Sequence, residues 1–216
     1  MEDKSEIILF GASGHAKVIL DTLEKAGIKA SGLFDDNPKL YGQDIYGYRI
    51  MGGREAWLNK VSDGLCRTVV AIGNNRLRHE VACWVERQGG KLAEAVVHPS
   101  AQLARGVVLG NGTVVMAGTI VNSDVYVGKN VIINTGASID HDCVVGDAVH
   151  IAPGAILCGG IIVGEQTLVG AGAIVLPNLR IGRKAVIGAG TVVVNDVPDG
   201  VTVLGVPARM HGKTNE

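Results

Sequence analysis

The sequence predicts two unequal parts, a small parallel α/β domain over residues 1–95 and an all-β parallel helix of short regular coils over residues 96–216. Three observations predict this division. From Val97 to Val193 every sixth residue is Val, Ile or Leu, at seventeen positions without an exception or an insertion. The 216 residues include 31 glycines but only 4% aromatic residues, so the core is made of small and branched aliphatics, which suits narrow repeating layers. Before Val97 the rhythm changes to apolar runs alternating with helical stretches.

In that first part, Glu6–Phe10 reads as a buried strand, Gly11–Gly14 as a turn and His15–Gly27 as a helix. Ala30–Phe34 and Thr68–Ile72 read as further strands, and Asn75–Gln88 as a second amphipathic helix. Strand alternating with helix implies a Rossmann-like mononucleotide-binding domain. The turn Gly11-Ala12-Ser13-Gly14-His15 presents backbone N–H groups at a helix start, which favours a phosphate, although Ala16 stands where a full dinucleotide fingerprint continues toward a third glycine. Asp35 and Asp36 end the second strand, where a carboxylate accepts from a ribose hydroxyl or a base N–H. The loop Gly73-Asn74-Asn75-Arg76 completes the rim of a nucleotide pocket; a plain turn at Asp35-Asp36-Asn37-Pro38 is the competing reading.

In the second part the residue four after each aliphatic is small or β-branched almost throughout, and Gly follows the aliphatic seven times. Strand side chains alternate faces, so the small residue and the next aliphatic point inward and the residue between them points out. Three such strands close an 18-residue triangular coil, giving five to six coils, and the glycines are expected to supply unusual backbone angles at the corners. The outward positions, from Val108, Val114, Ile120 and Ile132 to Val192, are mostly aliphatic, and so large an apolar surface implies a homo-oligomer.

The formal net charge of −1 and the absence of Lys/Arg-rich stretches exclude a phosphate-tracking nucleic-acid surface. No apolar run approaches the ~20 residues needed to cross a bilayer, and no leader pattern precedes the first strand, so a cytoplasmic protein without membrane insertion is expected. Cys66, Cys83, Cys143 and Cys158 lack CxxC spacing, which suggests neither disulfides nor a zinc site.

Few residues of the repeat can do chemistry. His141, at a corner of the coil and flanked by Asp140 and Asp142, is the candidate general base, with Asp142 fixing its tautomer. Gly159, on the next corner, offers an unencumbered N–H to an oxyanion. His150 interrupts the outward aliphatic stripe nine residues from His141, half a coil away, so a site using both would lie between subunits.

Gly11-Ala-Ser-Gly-His15, Asp35-Asp36, Ala71-Ile-Gly-Asn-Asn75, Ile133-Asn-Thr, Ile139-Asp-His-Asp-Cys143, Val175-Leu-Pro-Asn178 and Gly205-Val-Pro-Ala-Arg209 resemble, along nearly the whole chain, the sugar acetyltransferases of the NeuD/PglD type. That resemblance implies a left-handed β-helix of hexapeptide repeats, a homotrimer, acetyl-CoA as cosubstrate and no metal. It implies acetylation of the 4-amino group of a UDP- or dTDP-linked 4-amino-4,6-dideoxy sugar, on the way to bacillosamine in that family, by direct transfer without an acyl-enzyme. It assigns His141 and Asp142 to catalysis, Asp142 standing where the family more often has Glu. It places the thioester near His150 and Gly159, the rest of the cofactor along Ala171 and Ala189, and the nucleotide sugar against Ser13, Gly14, His15, Asp35, Asp36, Gly73 and Arg76. Rival readings are a sugar O-acetyltransferase, a β-helical carbonic anhydrase with a three-histidine zinc site, and a non-catalytic scaffold.

Overall fold

The computed structural model describes residues 6–62 and 64–213. Its first part is a four-stranded, all-parallel sheet in the order β2-β1-β5-β6, formed by β1 (Glu6–Phe10), β2 (Ala30–Phe34), β5 (Cys66–Val70) and β6 (Lys91–Leu92). Between them run helices α1 (Gly14–Lys25), α2 (Arg54–Val61) and α3 (Asn75–Arg87) and a small hairpin, β3 (Asp44–Ile45) with β4 (Tyr48–Arg49). Helix α2 and the hairpin carry no clear periodicity and escape the sequence reading. The strand expected at 68–72 lies two residues earlier, because Ala71 already turns away after donating to the Phe10 carbonyl.

The two faces of the sheet are covered differently. On one side α1 presents Ala16, Ile19, Leu20 and Leu23, all fully buried at helical spacing. That helix lies between the sheet and the coils, since the same cluster takes in Val96, Val114, Met116 and Ile132. On the other side Phe10, Phe34, Trp57, Val81 and Val85 pack together, with Trp84 against both Phe10 and Trp57. Most of the few aromatic side chains are thus concentrated in the first domain.

The chain leaves β6, turns at Ala93 and enters a parallel β-helix of about six turns at Val96. Its three faces are ladders of two-residue strands. Face 1 runs from Val96–Val97 to Val186–Ile187, face 2 from Gln102–Leu103 to Val192–Val193, and face 3 from Val108–Leu109 to Arg180–Ile181. Register is strict: Val114 pairs with Ile132 and Ile132 with His150, each eighteen residues on. The aliphatic of each hexad is buried from Val115 onward, and the alternating small positions, Thr113, Thr119, Ala137, Cys143 and Ala155 among them, are fully enclosed. The hydroxyls of Thr113, Thr119 and Thr167 inside the prism donate to a carbonyl of the following coil, whereas the buried Thr191 hydroxyl has no partner among the described residues.

Two expectations are corrected. The left-handed backbone angle falls three residues after the aliphatic, at eight glycines such as Gly112 and Gly160 and at Asp124, Asn130, Asp142, Ala148, Gln166, Asn178 and Lys184. The glycines immediately after the aliphatic have ordinary angles and are needed for space. A Cβ on Gly110 would lie 2.5 Å from the Gly128 carbonyl carbon, and one on Gly164 would lie 2.6 Å from the Arg183 nitrogen. Five of them, Gly110, Gly128, Gly146, Gly164 and Gly182, stack along the edge between faces 3 and 1, where successive corners touch backbone to backbone. Secondly, Val114 and Ile132, expected on an exposed interface, are buried beneath the first domain; Val108, Ile120, Val144 and Ile156 remain exposed on faces 2 and 3.

Candidate active site

The edge between faces 2 and 3 carries the only acid–base constellation that the sequence singles out. Strand Ser138–Ile139 ends there, and the corner Asp140-His141-Asp142-Cys143 turns the chain toward Val144–Val145. Asp142 sits in the left-handed region (φ 57°), which folds its side chain back so that Oδ2 lies 2.7 Å from His141 Nδ1. Asp140 is held the other way, accepting from Asn122 Nδ2 and the His141 N–H; these bonds hold its carboxyl below its ordinary pKa. The Asp142 bond, reinforced by the charge of Asp140, raises the pKa of His141 above the ordinary histidine value. One coil further on, Gly159 lies against the imidazole: a Cβ there would be 2.7 Å from both Cε1 and Nε2. The ring is therefore wedged between a carboxylate and a glycine surface, with Nε2 toward the Gly159 corner. Cys143 faces the core, its Sγ donating to the Cys158 carbonyl, and burial raises its thiol pKa.

A second constellation lies at the carboxyl edge of the small sheet. Ser13 caps α1 in extended conformation without a side-chain bond to the helix, so the first turn from Gly14 has N–H groups to offer. Gly11 (φ +112°) is required twice over, since a Cβ there would also lie 2.7 Å from the Ala71 carbonyl oxygen. Asp35 ties two loops together, Oδ2 accepting from the Ala12 N–H and Oδ1 from the Asn37 N–H. Asp36 is exposed and paired with Arg54, whose guanidinium stacks 4.6 Å from the Trp84 ring centroid. Arg54 is a rim residue that sequence reasoning missed, because the helix bearing it was missed. Arg76 points to solvent in the first turn of α3, near Glu80.

His150 joins this second constellation. Thr135 N–H donates to Asn134 Oδ1, which turns the Asn134 amide nitrogen toward His150 Nε2 at 3.1 Å. Nε2 is thereby the acceptor, and the nearby Gly73 backbone favours the protonated ring, against the stronger effect of burial. Burial, with the charge of Arg78, lowers the pKa of His150 to about 4. His15 is lowered to about 4 for the same reasons, with His150 contributing, and its buried Nε2 has no hydrogen-bond partner among the described residues.

The predicted residues thus fall into three places on one chain. His141, Asp142 and Gly159 share the edge between faces 2 and 3. Ala171 and Ala189, eighteen residues apart and exposed, stack on the edge between faces 1 and 2, where Gly190 N–H donates to the Ala171 carbonyl. His15, Gly73 and His150 meet at the domain junction over face 1, and Ser13, Gly14, Asp35 and Asp36 line the carboxyl edge of the small sheet.

Solved structures match this architecture over nearly its whole length. A histidine-to-asparagine variant of perosamine N-acetyltransferase from Caulobacter crescentus, in complex with CoA and GDP-perosamine, is 39% identical, with 97% of this chain and 98% of that chain covered and a TM-score of 0.92. The model of the PglD N-terminal domain matches residues 6–85. The chain belongs to the sugar acetyltransferases of the PglD/NeuD type. The acetyltransferase domain of PglB from Neisseria gonorrhoeae FA1090, in complex with acetyl coenzyme A, is 33% identical, with coverage of 96% and 99% and a TM-score of 0.86. WeeI from Acinetobacter baumannii AYE is 30% identical, with coverage of 95% and 99% and a TM-score of 0.82. No curated protein matches the chain.

Membership in these sugar acetyltransferases makes the protein an acetyltransferase with the left-handed form of the β-helix. Among the described residues no three His, Cys, Asp or Glu side chains group as metal ligands, and no helix is long and apolar enough to cross a membrane.

Proposed function

We propose that the protein transfers the acetyl group of acetyl-CoA to the 4-amino group of a nucleotide-linked 4-amino-4,6-dideoxy sugar. The observation that carries this reading is the His141 imidazole, fixed between Asp142 and Gly159 on an exposed edge and made more basic than usual. In this mechanism the amine attacks the thioester carbonyl and a C–N bond forms. His141 Nε2 takes the amine proton, and the Gly159 N–H meets the oxyanion. Collapse breaks the C–S bond, and the proton returns through His141 to the departing sulfur. No acyl-enzyme is involved, and Cys143 takes no part.

The nucleotide sugar lies over the carboxyl edge of the small sheet, with its phosphates at Ser13, Gly14 and His15 and its base and ribose toward Asp35 and Asp36; Gly73 and Arg76 complete the rim. Acetyl-CoA runs past Ala171 and Ala189 toward Gly159 and His150. Face 1, which carries the sugar domain, lies opposite the edge that carries His141, so the sugar of one subunit meets His141 of a neighbour in a cytoplasmic homotrimer. The exposed Val108, Ile120, Val144 and Ile156 supply the apolar contact between copies.

Incubating the protein with acetyl-CoA and UDP-, dTDP- or GDP-linked 4-amino sugars while following free thiol tests the reaction. The GDP-linked compound is included because the Caulobacter relative binds GDP-perosamine. Thiol release that follows the amino sugars and not their 4-hydroxy counterparts is expected; the reverse preference would mean O-acetylation. Mixed trimers of His141→Ala and His150→Ala chains should recover part of the activity that each lacks alone, and no recovery would count against a shared site.

A further inference from the structure

Arg78 is the most deeply buried charged side chain described, 1% exposed, and makes no ion pair among the described residues. Its guanidinium is surrounded instead by neutral oxygens. Nε donates to the Asn130 carbonyl (2.9 Å), and Nη1 to the carbonyls of Ile72 (3.2 Å) and Gly73 (3.0 Å). Nη2 donates to Asn75 Oδ1 (2.9 Å), Ala148 O (2.7 Å) and Val149 O (3.2 Å). Asn75, in turn, donates to the carbonyls of Gln166 and Thr167, while Asn130 Nδ2 returns a bond to the Arg78 carbonyl.

These contacts are ordered along the molecule. Asn130, Ala148 and Gln166 are the left-handed corner residues of three successive coils, eighteen residues apart, on the edge lined by the stacked glycines. Ile72, Gly73 and Asn75 belong to the loop that ends β5 and opens α3 in the sugar domain. One side chain and its companion asparagine therefore bind three storeys of the helix to a loop of the pocket.

We propose that Arg78 is a positioning residue, whose fork of donors fixes the nucleotide-sugar domain at one height and angle on the coils and so sets where the acceptor amine meets the acyl group. The inference rests on the proposed acceptor and adds a residue to it. The energetics support a function beyond packing. A buried, unpaired cation is costly, whereas an apolar side chain of the same size would fill the space without that penalty. The guanidinium supplies five directed N–H groups in a plane, which neither Lys nor an apolar group can. Burial keeps the nearby His15 and His150 imidazoles neutral down to about pH 4, and the charge of Arg78 adds to that effect. An attacking amine becomes cationic as the C–N bond forms, so neutral rings beside its approach do not oppose it.

The test is steady-state kinetics of Arg78→Lys and Arg78→Met in the full chain, with imidazole NMR of both. Arg78→Lys keeps the charge but loses the fork; kcat/KM for the nucleotide sugar should fall about tenfold or more while KM for acetyl-CoA is unchanged. In Arg78→Met the His15 and His150 resonances, neutral down to about pH 4 in the parent protein, should titrate at higher pH. Parent-like kcat/KM in Arg78→Lys, a loss shared equally by acetyl-CoA, or unmoved titrations would overturn the proposal. Should Arg78→Met fail to fold, Asn75→Ala removes two bonds to the coils and one acceptor of Arg78; undiminished kcat/KM there also overturns it. A wrong acceptor would show as absent turnover in the parent protein, whereas the titrations read Arg78 without any substrate.

Discussion

His141 and His150 stand nine residues apart in the same repeat, and their surroundings push them in opposite directions. His141 lies on an open corner, bonded to one carboxylate and near another, and its proton affinity rises. His150 lies buried under a second domain, bonded to the Asn134 amide and facing a buried guanidinium, and its proton affinity falls. The hexad gives them different phases, His141 at a corner and His150 in an outward strand position, but it does not by itself set their chemistry. Their chemistry diverges because another part of the chain covers face 1, which bears His150, and leaves the His141 corner open. A repeat supplies positions at fixed intervals; the covering of one face gives those positions different chemistry.

The largest effect that sharpens this contrast is loss of the exposed imidazole. His141→Ala should lower kcat by about 10²–10⁴-fold, as expected for a lost general base, with little change in either KM. Parent-like turnover in single-turnover assays would remove His141 from the mechanism. Next is Gly159→Ala, which places a methyl 2.7 Å from ring atoms of His141. The displaced ring should cost about ten- to a hundredfold in kcat while circular dichroism and melting temperature stay close to the parent's. Asp142→Asn should cost about tenfold in kcat, because the orienting bond weakens. It should also move the acid limb of the rate profile. The base works unprotonated, so activity falls as pH drops through the raised pKa; without the carboxylate that pKa drops, and the fall shifts to lower pH.

The smallest effect concerns the covered histidine and is read in stability. His15 and His150 titrate near 6.5 when unfolded and at about 4 when folded. Between these values the unfolded chain binds more protons, so stability is full above about pH 6.5 and is lost as pH falls toward 4. Each unit of depression corresponds to about 1.4 kcal/mol. Melting temperatures measured across that range should fall on acidification, and the fall should be shallower in His150→Gln. Equal slopes in the two proteins would show that His150 titrates normally.

The legibility of these features differs for physical reasons. The coils were readable because a period-6 rule acts locally: each inward side chain must fit beside the one eighteen residues away, and the sequence repeats that demand seventeen times. The pairing of His141 with Asp142 was readable because the two are adjacent and confined to one corner. Arg78 was not, because its partners lie five to seventy-one residues away, apart from Asn75, and all but Asn75 offer carbonyls, which every residue possesses. One signal was available: Arg78, Val81, Ala82 and Val85 form a single helical stripe, so a charge stands in a face otherwise made of apolar residues. The burial of Val114 and Ile132 was hidden for a related reason. Outward aliphatics read alike whether a second subunit or the chain's own first domain lies on them. The corner glycines were misread because steric need and backbone need select the same residue.

The eighteen-residue pairing of one coil on the next also constrains how this molecule can change length. Deleting one residue from any strand would turn every later inward side chain toward water and send each outward one into the prism. Additions survive in two ways, as bulges thrown out at a corner or as the duplication of a complete storey. Related enzymes should therefore differ in height by whole layers.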